Sequence, residues 1–164
     1  MIALSGSKLA DTLAQATTTP LPGQLGNGTV LIAGLTMPLL FTSDGQVNAM
    51  IPFGLTPNST QQVLALRGTS ISVPQPVTIA EVAPGIFTTD GKHEIIVDAV
   101  TNKILAPGNP TKVGDYIVIY CTGLGEVIPA QKAGDAASST VLPGAVTTVT
   151  AAGQVSAAAF IAVK

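Results

Sequence analysis

The chain of 164 residues is long enough for one large domain or two small ones, and its single cysteine, Cys121, excludes an intramolecular disulfide. Its net charge is −2 with no cluster of Lys or Arg, which argues against nucleic-acid binding because phosphate neutralisation needs grouped cations. Charged residues make up 10 % and aromatic residues 4 % of the chain, so we expect an aliphatic core and sheets with a neutral polar face rather than long surface helices.

Short runs rich in Val, Ile, Leu and Thr alternate with turn residues along the whole chain. Between them lie 17 glycines and 12 prolines, a distribution typical of an all-β sandwich. The predicted strands, in chain order, are Met1–Ser5, Gly28–Ile32, Met37–Thr42, Gln46–Ile51, Gln62–Arg67, Val77–Ala80, Glu94–Val97, Tyr116–Cys121, Val146–Thr150 and Ala157–Val163.

Two segments between these strands predict no strand of their own. Ser7–Ala16 carries Leu9 and Leu13 four residues apart, which allows one short helix, although a long loop fits the segment equally well. Gln131–Thr140 is rich in Ala and Ser and indicates a mobile surface loop.

Turn residues mark where the strands end. Asp44-Gly45 and Asp90-Gly91 are typical of hairpin turns. Pro76, like the other prolines in the middle of the chain, is excluded from a central strand because it has no backbone N–H.

Part of the sequence occurs twice. Val30–Phe41 and Val149–Phe160 share Val, Ala, Gly and Phe at positions 119 residues apart, and Ser7-Lys8-Leu9 matches Thr122-Gly123-Leu124 at an offset of 115. The second copy stops partway, at Lys164. We therefore predict one near-complete module over residues 1–82, a connector with a β-hairpin over 83–112, and a partial second module over 113–164.

Several stretches, spread over almost the whole chain, carry a resemblance to a known family. They are Gly6-Ser7-Lys8-Leu9-Ala10, Pro20-Leu21-Pro22, Val30-Leu31-Ile32-Ala33-Gly34, Pro38-Leu39-Leu40-Phe41, Gln46-Val47-Asn48-Ala49-Met50-Ile51-Pro52, Ala83-Pro84-Gly85-Ile86-Phe87-Thr88 and Gly114–Gly125. In this order they resemble the uncharacterised immunoglobulin-like (IPT/TIG-like) repeat found near the C-termini of large acidobacterial extracellular proteins.

The resemblance implies tandem immunoglobulin-like β-sandwich modules, the second of them incomplete, in a protein that is secreted or displayed on the cell surface. It implies no catalytic residue and no cofactor. No signal peptide is visible in the chain, and we expect it to be a fragment of a longer exported protein.

An unfinished sandwich exposes unpaired backbone donors and acceptors. We therefore expect a homo-oligomer joined through sheet edges, with Ala157–Val163 near the contact. No run approaches the ~18 apolar residues of a membrane-spanning helix, so no membrane span is expected. The sequence names no ligand.

The densest group of ionisable residues lies between Asp90 and Asp98. On a strand that begins near Lys92, Glu94 and Asp98 share one face, while His93, the only histidine, lies on the other. The simplest interpretation is a hairpin with a solvated polar edge. The alternative is a catalytic site made of His93, Glu94 and Asp98, because a general base of the Ser-His-Asp or Cys-His kind has to use this histidine.

The carboxylates of the same region also form a candidate calcium site. Hard oxygen ligands suit Ca²⁺, and an ion at a junction between modules would stiffen the connector. The candidate ligands are Asp90, Glu94, Asp98 and Asp115. No other cofactor is expected, and one His and one Cys are too few for the usual zinc site.

Two further motifs favour structural roles. Cys121 follows an apolar run, which predicts a buried and unreactive thiol. Gly123-Leu124-Gly125 lacks the third glycine and the following helix of a phosphate-binding loop, so it predicts a turn at the end of a strand.

Three functions remain open at this point. The first is a non-catalytic extracellular module for structural spacing, adhesion or self-association. The second is a small hydrolase of ester or lactone bonds, with or without Ca²⁺, that uses the region of His93, Glu94 and Asp98. The third is a carbohydrate-binding module, which is disfavoured because the chain has no Trp and only 2 Tyr to stack on sugars.

Overall fold

The computed structural model describes residues 1–140 and the pairs 144–145, 150–151 and 154–155. Every regular element in these residues is a β-strand, and all paired strands run antiparallel. The ambiguous segment Ser7–Ala16 contains no helix; it is a loop that includes one two-residue strand. The chain divides into unit 1, made of Met1–Glu81 and Ala130–Ala136, and unit 2, made of Val82–Pro129 and the described residues after Ala136.

Unit 1 contains two antiparallel sheets, as expected for a β-sandwich. One has the strand order β1-β7-β6-β2, and the other has the order β10-β8-β4-β3, with β5 paired to β4 and β9 paired to β8. The strands are β1 (Ile2–Ser5), β2 (Ala14–Gln15), β3 (Gln24–Leu25), β4 (Gly28–Ile32), β5 (Leu35–Thr36), β6 (Leu39–Thr42), β7 (Gln46–Ala49), β8 (Ser59–Arg67), β9 (Ser70–Ile71) and β10 (Gln75–Ile79).

The two sheets of unit 1 share one aliphatic core. Alternate residues of a strand point to one face, so Val30 and Ile32 of β4 both turn inward and are buried. Strands β6 and β7 of the other sheet bury Leu39 and Val47 in the same cluster. The complete cluster is Val30, Ile32, Met37, Leu39, Val47, Ala49, Val63 and Ile79. Full burial of each larger side chain stabilises the fold by about 1.5–3 kcal/mol.

The turn chemistry of unit 1 agrees with the sequence. Asp44-Gly45 joins β6 to β7, and the N–H of Ser43 donates to the carbonyl of Gln46 across the turn at 2.8 Å. Pro76 lies in β10, an outer strand, where its missing N–H interrupts no interior ladder.

Unit 1 also includes a segment from much later in the chain. The N–H of Leu21 donates to the carbonyl of Gly134 at 2.8 Å, and Gly134 is buried. The expectation of a surface loop over Gln131–Thr140 is therefore wrong around Gly134. No local pattern marks this segment, because the contact joins residues more than a hundred positions apart.

Unit 2 is built from short paired strands. Strand β11 pairs with β14, β12 with β13, β15 with β16, and β17 with β18. These strands are β11 (Gly85–Ile86), β12 (Ile96–Asp98), β13 (Ile117–Ile119), β14 (Cys121–Thr122), β15 (Val127–Ile128), β16 (Gly144–Ala145), β17 (Thr150–Ala151) and β18 (Gln154–Val155). Strand pairing thus joins residues 83–112, predicted as a connector, to the beginning of the predicted second module.

The sequence repeat has a structural counterpart. Strands β4 and β5 pair with Leu31 opposite Thr36, and β17 and β18 pair with Thr150 opposite Val155. Each residue of the second pair lies 119 positions after its equivalent, so the register is the same. The predicted strand Ala157–Val163 lies outside the described residues, as do residues 146–149 of the predicted strand Val146–Thr150.

Candidate functional site

The ionisable segment begins with a tight turn at residues 90–93. Asp90 Oδ1 accepts hydrogen bonds from the backbone N–H of Lys92 at 3.0 Å and of His93 at 2.8 Å. Gly91 has φ of +79°, a conformation that glycine adopts without strain. This is an Asx-type turn, in which the aspartate side chain holds its own following backbone. The bridge between Thr88 and Glu94 closes it.

The turn brings His93 and Asp90 into direct contact. His93 Nδ1 lies 2.7 Å from Asp90 Oδ2. An ionised carboxylate only accepts hydrogen bonds, so Nδ1 carries the proton, and in the neutral imidazole Nε2 is then the acceptor. Both side chains are exposed, at 79 % for His93 and 50 % for Asp90. The pair can therefore orient an imidazole toward solvent, which is the orienting half of a general-base arrangement.

Hydrogen bonds also tune the Asp90 carboxyl. The backbone N–H of His93, then its imidazole, and then the N–H of Lys92 lower the pKa of Asp90 from its ordinary value. The carboxylate is thus ionised at neutral pH, as the orientation of His93 requires.

Asp98 and Asp115 perform a similar local task at the far end of β12. Asp98 Oδ1 accepts from the N–H of Thr101 at 2.6 Å, from its hydroxyl at 2.9 Å, and from the N–H of Val100 at 3.0 Å. The bonds from Thr101 are the main cause that lowers the pKa of Asp98. Asp115 Oδ2 accepts from the N–H of Lys112 at 2.7 Å.

The structure brings only part of the predicted site together. Asp90 and His93 meet, but Glu94 and Asp98 lie four positions apart along extended chain, about 13 Å between their Cα atoms. In residues 1–140 and the three described pairs, no three His, Cys, Asp or Glu side chains are grouped closely enough to hold a metal ion.

Sequence reasoning missed the partner of the histidine. The spacing Asp-Gly-Lys-His, with the carboxylate three residues before the imidazole and glycine at the bend, was the available signal.

The contacts of Gly123 and the burial of Cys121 indicate structural roles for both residues. Gly123 has φ of +78°, and a Cβ there would collide with the carbonyl of Ala83, whose N–H donates to Gly123 O at 2.8 Å. This glycine allows two backbones to approach closely, in agreement with a strand-end turn.

Cys121 is half-buried rather than fully buried, and this burial raises the pKa of its thiol.

The sheet edges of unit 1 form a second candidate surface. The outer strands with at least four residues are β1 and β10. Strand β10 contains Pro76, a residue that discourages strand addition. Strand β1 reads Ile-Ala-Leu-Ser and carries neither proline nor charge. Within the described part of the chain, no strand pairs with its outer side.

Comparison with models of known families, with curated proteins and with solved structures gives no match to this chain. Within the described residues, no helix has the length and apolar character needed to cross a membrane.

Proposed function

We propose that this chain is a non-catalytic β-sandwich module of a secreted or cell-surface protein, which spaces or joins neighbouring modules and associates through its sheet edges. The observation that carries the proposal is the uncharged outer edge of β1, formed by Ile2–Ser5. An edge of this kind, without proline, lysine or a bulge, is a template for strand addition.

Two further observations support a modular role. The equal register of the β4–β5 and β17–β18 pairs, 119 residues apart, is what tandem copies of one module would produce. The low content of charged residues, together with the resemblance to extracellular immunoglobulin-like repeats, supports a location outside the cell.

Oligomeric state tests this proposal directly. We expect light scattering after size-exclusion chromatography to give a dimer or a larger species whose fraction rises with protein concentration. A monomer at every concentration up to about 1 mM, where even weak association becomes visible, would contradict self-association.

A second candidate function rests on the pair of Asp90 and His93. The oriented imidazole favours a small hydrolase of ester or lactone bonds, in which His93 acts as general base. We expect His93→Ala to abolish hydrolysis of an activated ester and Asp90→Asn to reduce it, whereas Lys92→Gln, a change at an exposed neighbouring side chain, serves as the control. Full activity in His93→Ala would remove this candidate, and activity unaffected by a chelator would remove its Ca²⁺-dependent form.

A further inference from the structure

The outer edge of β1 presents two residues whose backbone groups point away from its partner. The N–H of Gly6 donates to Gly45 O at 3.0 Å and continues the register of the β1–β7 pair. Residues along an antiparallel strand alternate between bonding to one side and to the other. Ile2 and Leu4 therefore bond to β7, while Ala3 and Ser5 direct their N–H and C=O groups outward.

The pattern on β7 agrees with this assignment. The N–H of Ser43 donates to Gln46 O, so Gln46 and Asn48 bond toward β6. The alternate residue Val47, opposite Leu4, is then free to bond toward β1.

Strand β13 is the equivalent of β1 in the second copy. At the offset of 115 residues, Ile117 corresponds to Ile2 and Ile119 to Leu4. The backbone after each strand also agrees, since Lys8 has φ of +57° and its equivalent Gly123 has φ of +78°.

In β13, the side that is open in β1 is occupied. The N–H of Tyr120 donates to Ile95 O at 3.1 Å, and the N–H of Ala99 donates to Tyr116 O at 3.0 Å. By the same alternation, Val118, opposite Val97, bonds toward β12. Val118 and Tyr120 are the equivalents of Ala3 and Ser5.

The two copies therefore show complementary halves of one arrangement. Strand β1 pairs with β7, which follows it in the chain, and β13 pairs with β12, which precedes it, through opposite edges. A complete module would have its first strand between a strand of the β12 kind and a strand of the β7 kind.

We propose that the outer edge of β1 is a binding site for an extended connector strand equivalent to β12, which pairs antiparallel with Ala3 and Ser5. The partner is the connector of another module of the same repeat. In the bound register, the equivalent of Val97 lies opposite Ala3, and the edge of β1 offers no charge to oppose the apolar residues Ile96 and Val97 of such a strand. This inference rests on the proposed association through sheet edges, of which it names one site.

The test is a fusion that places a strand equivalent to β12 before β1, at the spacing found between β12 and β13 in unit 2. A duplicate of Ala83–Asp115 is joined directly to Met1 of the full chain, so that Met1 takes the place of Tyr116. We expect amide hydrogen exchange at Ala3 and Ser5 to slow by about tenfold or more relative to the parent chain, because both N–H groups become hydrogen-bonded. The matched control carries Val97→Pro in the added copy only, which removes the N–H that bonds to Ala3, and it should restore fast exchange.

The other outcomes of the fusion experiment also decide whether the edge of β1 binds a connector strand. Unchanged exchange at Ala3 and Ser5 in a fusion whose core amides in β4 remain protected would overturn the inference. If the fusion does not fold, a synthetic peptide of residues 85–99 added to the labelled parent chain replaces it, and shift changes confined to β1 are expected. Failure of that peptide to shift β1 at millimolar concentration overturns the inference equally.

The experiment also separates this site from self-association. Protection of Ala3 and Ser5 in the parent chain that rises with its concentration, and that persists when this chain carries Val97→Pro, would make a second copy's β1 the partner and overturn the connector assignment. A parent chain that stays monomeric while the fusion protects both amides would remove self-association and leave the strand site standing.

Discussion

The three aspartates that looked like ligands use their oxygens on nearby backbone. Asp90, Asp98 and Asp115 each accept N–H groups from residues within three positions of themselves. Such bonds fix the local loop, and at Asp90 and Asp98 they also lower the pKa of the carboxyl group. At the residue scale, each of these three aspartates has a local role in a turn, and Asp90 in addition contacts His93.

The turn at Asp90 should open at acidic pH. Hydrogen bonds from His93 lower the pKa of Asp90 from its ordinary 3.8, so the turn's contribution to stability is fully present above that value. It is lost as the pH falls through the lowered pKa. We expect the backbone amide resonance of His93, whose N–H donates to Asp90, to shift as the pH falls below about 4 in an NMR titration.

Asp90→Asn is the control for this titration, because an amide oxygen can accept the same bonds but does not titrate. Its His93 amide should show no transition in the same acidic range. Absence of any transition of this amide below about pH 4 in the parent chain would contradict the role of the Asp90 carboxylate in the turn.

Cys121 should react slowly. Burial raises the pKa of its thiol, and the thiolate is the reactive form, so less of it is present at neutral pH than in a free cysteine. We expect alkylation by iodoacetamide at pH 8 to be slower than in the urea-unfolded chain and to accelerate as the pH rises. Equal rates in the folded and unfolded chains would contradict this expectation.

At the scale of elements, alternation located the longer strands and missed the short ones. Gly28–Ile32 has five residues, enough for a period of two to be visible, and its predicted limits are those of β4. Strands β3, β5 and β9 have two residues each, too few for any period, and only pairing with a neighbour defines them. The strand predicted at Glu94–Val97 begins two residues later and ends one residue later, because the turn at Asp90 holds Glu94 in its own bridge.

The candidate site was predictable only in part for a related reason. The sequence located the ionisable segment, and spacing could have paired Asp90 with His93. The sequence could not show that Asp98 and Asp115 hold separate turns, because the partners of these carboxylates depend on where β12 ends and on the path of the chain after it.

Gly123 should be more sensitive to substitution than Gly91, another glycine of unit 2 with positive φ. At Gly91, φ is +79° and an added Cβ would meet no atom within 4 Å apart from its chain neighbours. Alanine there costs about 1 kcal/mol of backbone strain. Gly123→Ala carries the same strain and adds a collision with the carbonyl of Ala83, about 1–3 kcal/mol more. Urea unfolding of both variants measures the difference. The Ala83 amide, which bonds to Gly123 O, should lose exchange protection only in Gly123→Ala.

Equal unfolding midpoints for these two variants would mean that the backbones near Ala83 separate without cost. The close approach would then have no part in the stability of unit 2.

At the scale of the whole molecule, unit 1 is not continuous in sequence. Unit 1 takes Met1–Glu81 and then Ala130–Ala136, with Val82–Pro129 of unit 2 between them. A division drawn from sequence at residue 82 keeps the core strands of unit 1 together but leaves out the later segment. The backbone bond between Leu21 and Gly134 and the burial of Gly134 join that segment to unit 1, and neither produces a hydrophobic pattern in the sequence.

Gly134 lies more than fifty residues after Glu81, where the first segment of unit 1 ends. Substitution of Gly134 should nevertheless destabilise unit 1. A Cβ at Gly134 would lie 2.7 Å from Pro38 Cβ and 3.2 Å from Leu21 Cβ, in addition to the strain of φ at +88°. Gly34→Ala is the matched control, because Gly34 has φ of +80° with open space around it. We expect the Leu21 amide, which donates to Gly134 O, to exchange about tenfold faster in Gly134→Ala and to change little in Gly34→Ala. If both variants leave the Leu21 amide equally protected, the later segment does not belong to unit 1 and the sequence division at residue 82 describes that unit completely.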